Sequence, residues 1–291
     1  MTRLADRIGA DATAAVQGLW QGLRYLRGRP LRTPRPRIWS AGGLELLALA
    51  ILAGSMIAAS MILLDPLTAG IRMRMPLSVV HFFERITALG LGGVVLWPVG
   101  LALLAVLAVK PRLDDMGRRV TAALAARIGF LFVSIAGAGL LVLVVKYLLG
   151  RPRPYTAVQL GGENAHLVFD WLALKANFAS FPSGHSSIAF ATAVAFGALF
   201  PRARVPLILL AFLVASSRVV LGSHYPSDVL AGGVVASVFV LLTVKAFAAR
   251  RIVFSVSADG TISPMPGPSP RRLARLMAPA APARALDEAR S

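Results

Sequence analysis

Long apolar runs separated by short, arginine-rich polar stretches dominate the chain. Six runs approach the about 20 residues that a helix needs to cross the hydrocarbon core. They are 42–64, 89–109, 128–146, 184–200, 205–221 and 228–246. The fourth and fifth are short. Only Pro201-Arg202-Ala203-Arg204 joins them, which predicts a tight helical hairpin. Between the first two runs, 65–88 reads as an interfacial helix with Met73, Met75, Val79, Phe82 and Phe83 supplying apolar contacts. The expected fold class is all-α integral membrane, with six transmembrane helices in one domain over 42–248.

The flanks differ. Residues 4–27 place Leu4, Ile8, Val16, Leu19, Trp20, Leu23 and Leu26 among arginines, so 1–41 reads as a basic amphipathic segment lying on the membrane. Residues 249–291, rich in Pro, Ala and Arg from 257 on, read as a disordered cytoplasmic tail.

Composition agrees with the pattern. The chain of 291 residues is 56% hydrophobic, and its mean hydropathy is +0.70. A soluble domain of this length would be far more polar. There is no cysteine, which excludes disulfides and thiolate metal sites. The net charge of +18 suits anionic lipid at cytoplasmic helix ends, and no nucleic-acid module accompanies it.

Charge also sets an expected orientation. With a cytoplasmic N-terminus, 23 of the 31 Lys and Arg fall in inside segments. Four of the remaining eight are Lys146, Arg151, Arg153 and Arg218. That topology places Lys146, Arg153, His185, Arg218, His224 and Asp228 at one face, the outer or periplasmic one. Independent snorkelling residues would have no reason to converge there.

These residues suit phosphate chemistry. Lys146, Arg153 and Arg218 could surround the oxygens of a phosphate, arginine through planar paired donors and lysine as a point charge. Pro182-Ser183-Gly184-His185 opens a helix whose free N–H groups favour an anion. Ser183 adds a hydroxyl, and Gly184 allows close approach. The tetrapeptide alone is equally compatible with an ordinary N-cap. His224 and Asp228 stand four residues apart, a spacing that brings carboxylate to imidazole. Such a pair alone fits a structural hydrogen bond; in a phosphate site the carboxylate would fix the tautomer of a nucleophile. His185 would then be a general acid. Phosphate charge can be met by Lys and Arg, so no metal or other cofactor is expected.

Together the three stretches resemble the signature of the type 2 phosphatidic acid phosphatase superfamily, whose members share an active site with vanadium haloperoxidases and glucose-6-phosphatase. Its motifs are K-x6-R-P, P-S-G-H and S-R-x5-H-x3-D. Here they are Lys146 with Arg153-Pro154, Pro182-Ser183-Gly184-His185, and Ser217-Arg218 with His224 and Asp228. All three are complete and in order. The resemblance implies that Lys146, Arg153, Arg218, Ser183 and Gly184 bind phosphate and that His224 attacks phosphorus. It implies that Asp228 orients His224, and that His185 protonates the leaving group.

The expected activity is a membrane lipid phosphatase in the inner membrane, acting on a lipid monophosphate or diphosphate at the outer face. Candidate substrates are phosphatidylglycerol phosphate, phosphatidate, polyprenyl diphosphate and lipid A. A lipid phosphotransferase would use the same residues, and a non-catalytic transporter or scaffold is the reading from another class. Two finer expectations remain. Arg151 could add charge for a second phosphate. The loop 155–181, with Glu163, His166, Asp170, Trp171 and Lys175, could cover the site and select the head group.

Overall fold

The computed structural model describes residues 43–108, 115–162 and 164–272, together with Gln17, Trp20, Arg24, Gly28, Pro30 and Leu31. The segment 4–27, apart from three of those positions, Glu163, and the chain beyond 272 lie outside the described residues.

Helices form where the apolar runs predicted them. They are α1 (Gly43–Leu63), the single turn α2 (Ile71–Arg74), α3 (Leu77–Thr87), α4 (Gly92–Ala108) and α5 (Asp115–Leu149), followed by α6 (Pro154–Leu160), α7 (Gly184–Leu199), α8 (Arg204–Val220) and α9 (Pro226–Ala249). Among the described residues, five helical stretches are long and apolar enough to cross a bilayer. The fourth predicted span, α7, is a shorter apolar helix of 16 residues. At 1.5 Å per residue it covers about 24 Å, short of a typical hydrocarbon core. The protein is a multi-pass membrane protein, and its outward-facing Leu, Ile and Val side chains are largely uncovered by protein.

α7 lies at the centre, packed on α5, α8 and α9. Small residues let these helices approach closely, as membrane helices commonly do. Ala191, Ala195, Ala138 and Ala236 are buried at the contacts. At Gly137 a Cβ would come within 2.4 Å of the Phe239 ring. α7 and α8 turn on Pro201–Ala203 alone, as the sequence predicts.

The helices alternate in direction. The C-terminal ends of α1, α5 and α8 meet the N-terminal ends of α7 and α9, and that end of the bundle gathers the signature residues. The expected interfacial segment is helical, and α3 lies against α8. A short 3-10 turn, Ala88–Gly90, then reaches α7.

The opposite end corrects one expectation. The chain after α9 is folded through residue 272. Strand β1 (Phe254–Val256) pairs antiparallel with β2 (Ile262–Pro264). Ile252, Val253 and Phe254 are buried in the main core, and the Phe254 ring packs edge-on against Phe130 of α5 at 5.0 Å. Arg127 donates to the carbonyls of Met265 and Pro266. Proline-rich composition suggested disorder, yet one apolar triplet and one arginine suffice to dock the hairpin.

Candidate active site

His224 is held by the chain on both sides of it. The loop after α8 folds back so that the N–H groups of Ser223 and His224 both donate to the carbonyl of Arg218. Asp228 then sits at the third position of α9 and accepts the Tyr225 N–H at 2.9 Å, half of a capping box. The same oxygen, Oδ2, accepts Ser180 Oγ at 2.6 Å and lies 3.4 Å from His224 Nδ1. Helix capping and imidazole placement therefore use one carboxylate. His224 and Asp228 are both buried. Burial pushes the His224 pKa below its ordinary value, against the opposing pull of Asp228. The His224 Nδ1 faces the Asp228 carboxylate, which favours the tautomer with the proton on Nδ1.

The turn 182–185 is fastened to the start of α9. Ser183 N donates to the Asp228 carbonyl at 2.9 Å, and Ser186 Oγ donates to the Val229 carbonyl at 2.7 Å. Ser183 caps α7, its Oγ 3.5 Å from Ser186 N. The fit depends on Gly232, where a Cβ would lie 2.4 Å from the Ser183 carbonyl oxygen. At Gly184, by contrast, a Cβ would meet nothing within 4 Å, so open space lies before the helix N-terminus. Gly232→Ala is expected to push the 182–185 turn off α9 and to lower phosphate release at least tenfold while the helices persist. Turnover measured beside far-ultraviolet circular dichroism checks both parts.

The cations surround the histidines. His185 lies within electrostatic reach of Arg218, His224, Arg153 and Lys146. Arg153 in turn acts on Lys146, Arg218 and His224. Arg153 is held by its Nε on the Ala176 carbonyl at 3.1 Å, and Arg218 by Thr87 Oγ1 at 2.7 Å. Arg218 Nε is buried without a partner. Three cations from three elements thus face two imidazoles, an arrangement that calls for an anion.

Arg151 does something else, which corrects its expected role. It is fully buried. Its Nε donates to the His166 carbonyl, its Nη1 to Ser227 Oγ and Asp228 Oδ1, and its Nη2 to Asp65 Oδ2. The Tyr225 ring lies 4.3 Å from its guanidinium carbon, with Phe169 and Phe181 beyond. Four of its five N–H groups are spent inside the protein, and the side chain is fully buried, so it does not face a second phosphate. It neutralises Asp228 instead, which leaves Lys146, Arg153 and Arg218 as the uncompensated charge of the site.

Asp65, at the end of α1, completes this network. It is fully buried and also accepts Ser227 N at 3.0 Å. The sequence reading passed over Asp65, Ser180, Ser227, Thr87 and Gly232. Asp65 carried the clearest signal, as an acid closing an apolar run.

The 155–181 loop is stitched to the segment it follows. Asp170 N donates to the Gly150 carbonyl, Ser180 N to the Arg151 carbonyl, and Arg153 N to the Asn177 carbonyl. Gly150 has φ +63°, and a Cβ there would collide with the Asp170 carbonyl, so only glycine fits. The loop lies over Arg151 through His166 and Phe169. Asp170, Trp171 and Lys175 remain exposed. Among the described residues, no three His, Cys, Asp or Glu side chains group as a metal site would require.

Residues 127–252 match the PAP2 superfamily model, and this range contains every signature residue. This segment belongs to the PAP2 superfamily. The chain also has curated relatives. Lipid A 1-phosphatase of Rhizobium johnstonii is 38% identical over 136 residues, 45% of this chain and 52% of that protein. Lipid A 1-phosphatase of Rhizobium etli is 39% identical over 131 residues, 45% of this chain and 55% of that protein. Undecaprenyl-diphosphatase BcrC of Bacillus subtilis is 36% identical over 104 residues, 34% and 48% of the two chains. The chain thus spans about half the length of the curated relatives it matches.

Proposed function

We propose that this protein is a membrane lipid phosphatase that works through a phosphohistidine on His224, without a metal. The observation that carries the reading is the pairing of a buried, carboxylate-backed imidazole with three uncompensated cations at one end of the bundle. PAP2 membership and relatives named for phosphatase activity on lipids support the same class.

The chemistry follows from the geometry. His224 donates its Nδ1 proton toward Asp228, so the Nε2 lone pair attacks phosphorus. Lys146, Arg153, Arg218 and the N–H groups at the 183–185 turn take the charge spread over the equatorial oxygens. The phosphorus–oxygen bond to the lipid breaks, and its electron pair leaves with that oxygen, which takes a proton from His185. A water then attacks the phosphohistidine and gives its proton back to His185. Inorganic phosphate departs and His224 is restored.

In this reading 42–248 is the phosphatase domain, in the inner membrane, with termini cytoplasmic and the site facing the periplasm. The 155–181 loop borders the head group. The two relatives named lipid A 1-phosphatase support lipid A as the first candidate substrate, and the relative named undecaprenyl-diphosphatase supports a polyprenyl diphosphate as the second. The test is phosphate release by the detergent-purified protein from a panel of lipid phosphates and diphosphates, in EDTA and without an added acceptor. Release unchanged by EDTA is expected. Turnover that needs added metal would overturn the metal-free mechanism, and turnover that needs an acceptor would replace hydrolysis by phosphotransfer.

A further inference from the structure

The chain after α1 turns Asp65 inward. Its N–H donates to the Ser60 carbonyl at 3.0 Å, and the N–H and hydroxyl of Thr68 both donate to its own carbonyl. The carboxylate is thereby held against the first turn of α9. Oδ1 accepts the Ser227 N–H at 3.0 Å, and Oδ2 accepts Ser227 Oγ and Arg151 Nη2. Asp228 takes another N–H of the same guanidinium. Asp65 stands outside the matched segment 127–252 and outside the three motifs.

One guanidinium thus faces two carboxylates. All three side chains are fully buried, so the cluster carries one negative charge in excess. An excess buried charge is costly unless another group answers it. Arg151 alone would cancel Asp228, but Asp65 claims a share of it. The group beside the other Asp228 oxygen is the His224 ring, with Nδ1 3.4 Å from Oδ2. His224 also meets the field of Arg153 and Arg218, and of His185, which with Lys146 belongs to the phosphate side. His166 lies within electrostatic reach of Arg151 and Asp65, and Tyr225 within that of Arg151, Asp228 and Asp65. When Nε2 bonds phosphorus and the bond to the lipid oxygen breaks, a ring that keeps its Nδ1 proton gains a positive charge. The excess negative charge lies on its Nδ1 side.

We propose that Asp65 is a positioning residue of the reaction: by sharing Arg151 with Asp228 it keeps the buried cluster one charge negative, and so stabilises the positive ring that His224 becomes when it holds phosphorus. The assignment rests on the phosphohistidine reading. Asp65 acts through Arg151 and Asp228, not on the lipid itself. The sign of its effect separates this role from a structural one. A negative charge behind the ring also favours the protonated, unreactive imidazolium of the free enzyme. Removing that charge slows phosphoryl transfer but lets activity persist to lower pH. Removing Arg151 makes the cluster more negative and shifts activity the other way.

The test is the pH profile of kcat/KM for the full-length protein in detergent. The substrate is whichever of lipid A, phosphatidate and a polyprenyl diphosphate the wild type turns over fastest. Asp65→Asn is expected to lower kcat near neutral pH by about tenfold or more, and to move the acid limb about one pH unit lower. Arg151→Met should move that limb higher. The double variant, whose cluster again carries one negative charge, should return it to the wild-type position. Ser227→Ala loosens the same network without changing its charge and should leave the limb in place. Two pairs isolate the Asp65 charge: wild type against Asp65→Asn, and Arg151→Met against the double variant. A single variant that fails to fold therefore leaves the other pair to decide. A limb that stays put when Asp65 is neutralised overturns the proposal, as do shifts of the same sign on removing Asp65 and Arg151; Asp65 would then be a structural tie. If the wild type releases phosphate from none of the three lipids, the phosphatase reading itself fails, and this inference with it.

Discussion

His224→Ala is expected to abolish phosphate release, by a factor on the order of 10⁴ or more, because the proposed reaction has no other nucleophile. The companion measurement is chemical. Wild type quenched during turnover of a radiolabelled lipid phosphate should carry label that survives base and is lost in acid, as expected of phosphorus on an imidazole nitrogen. His224→Ala should carry none. The fold should survive the substitution, because the His224 backbone N–H still reaches the Arg218 carbonyl and Asp228 keeps Arg151, Ser180 and the Tyr225 N–H. A variant that still turns over would remove His224 from the nucleophile's role. Turnover lost alongside an intact phosphoenzyme would do the same.

The second large effect belongs to Arg151, and it is expected in stability. Arg151→Met would leave Asp65 and Asp228, both fully buried, without their shared cation. Breaking a buried ion pair in this way costs about 3–5 kcal/mol. Thermal unfolding in detergent should show a marked fall, and activity should drop on every substrate alike. Asp65→Asn in the same background should recover part of the loss, because one of the orphaned charges is gone. If Arg151→Met instead melted like wild type and lost only diphosphate turnover, the guanidinium would be a phosphate ligand after all.

Arg151 also shows where sequence reading stops. The apolar runs located five of the six helices to within a few residues, because burial in lipid is written into every position of a span; α5 begins at Asp115, well before the expected 128, because its first turns are polar and basic. Motif spacing located the histidines and the three cations, and the structure brings those residues to one end of the bundle. Arg151 lies between Lys146 and Arg153 and reads as one more cation of the same set. Its different role depends on Asp65, 86 residues away, and no local pattern records that pairing. Gly232 is similar: nothing around it in α9 says that the Ser183 carbonyl rests against it. The hairpin was missed for the opposite reason, since average composition hid three apolar residues that pack. The turn at 201–203 is legible because a proline-bearing tripeptide leaves few ways to reverse a chain.

The docked hairpin has a consequence for biosynthesis. Membrane helices enter the bilayer in the order in which they are made, and Phe130 lies near the middle of α5. Its partner Phe254 emerges from the ribosome 124 residues later. Until then the floor of the bundle, where Phe130, Phe247 and Val244 meet, is unfinished. Assembly must therefore wait on the chain past the last span, and a nascent protein halted at Ala249 would hold every signature residue on a core that has not yet closed.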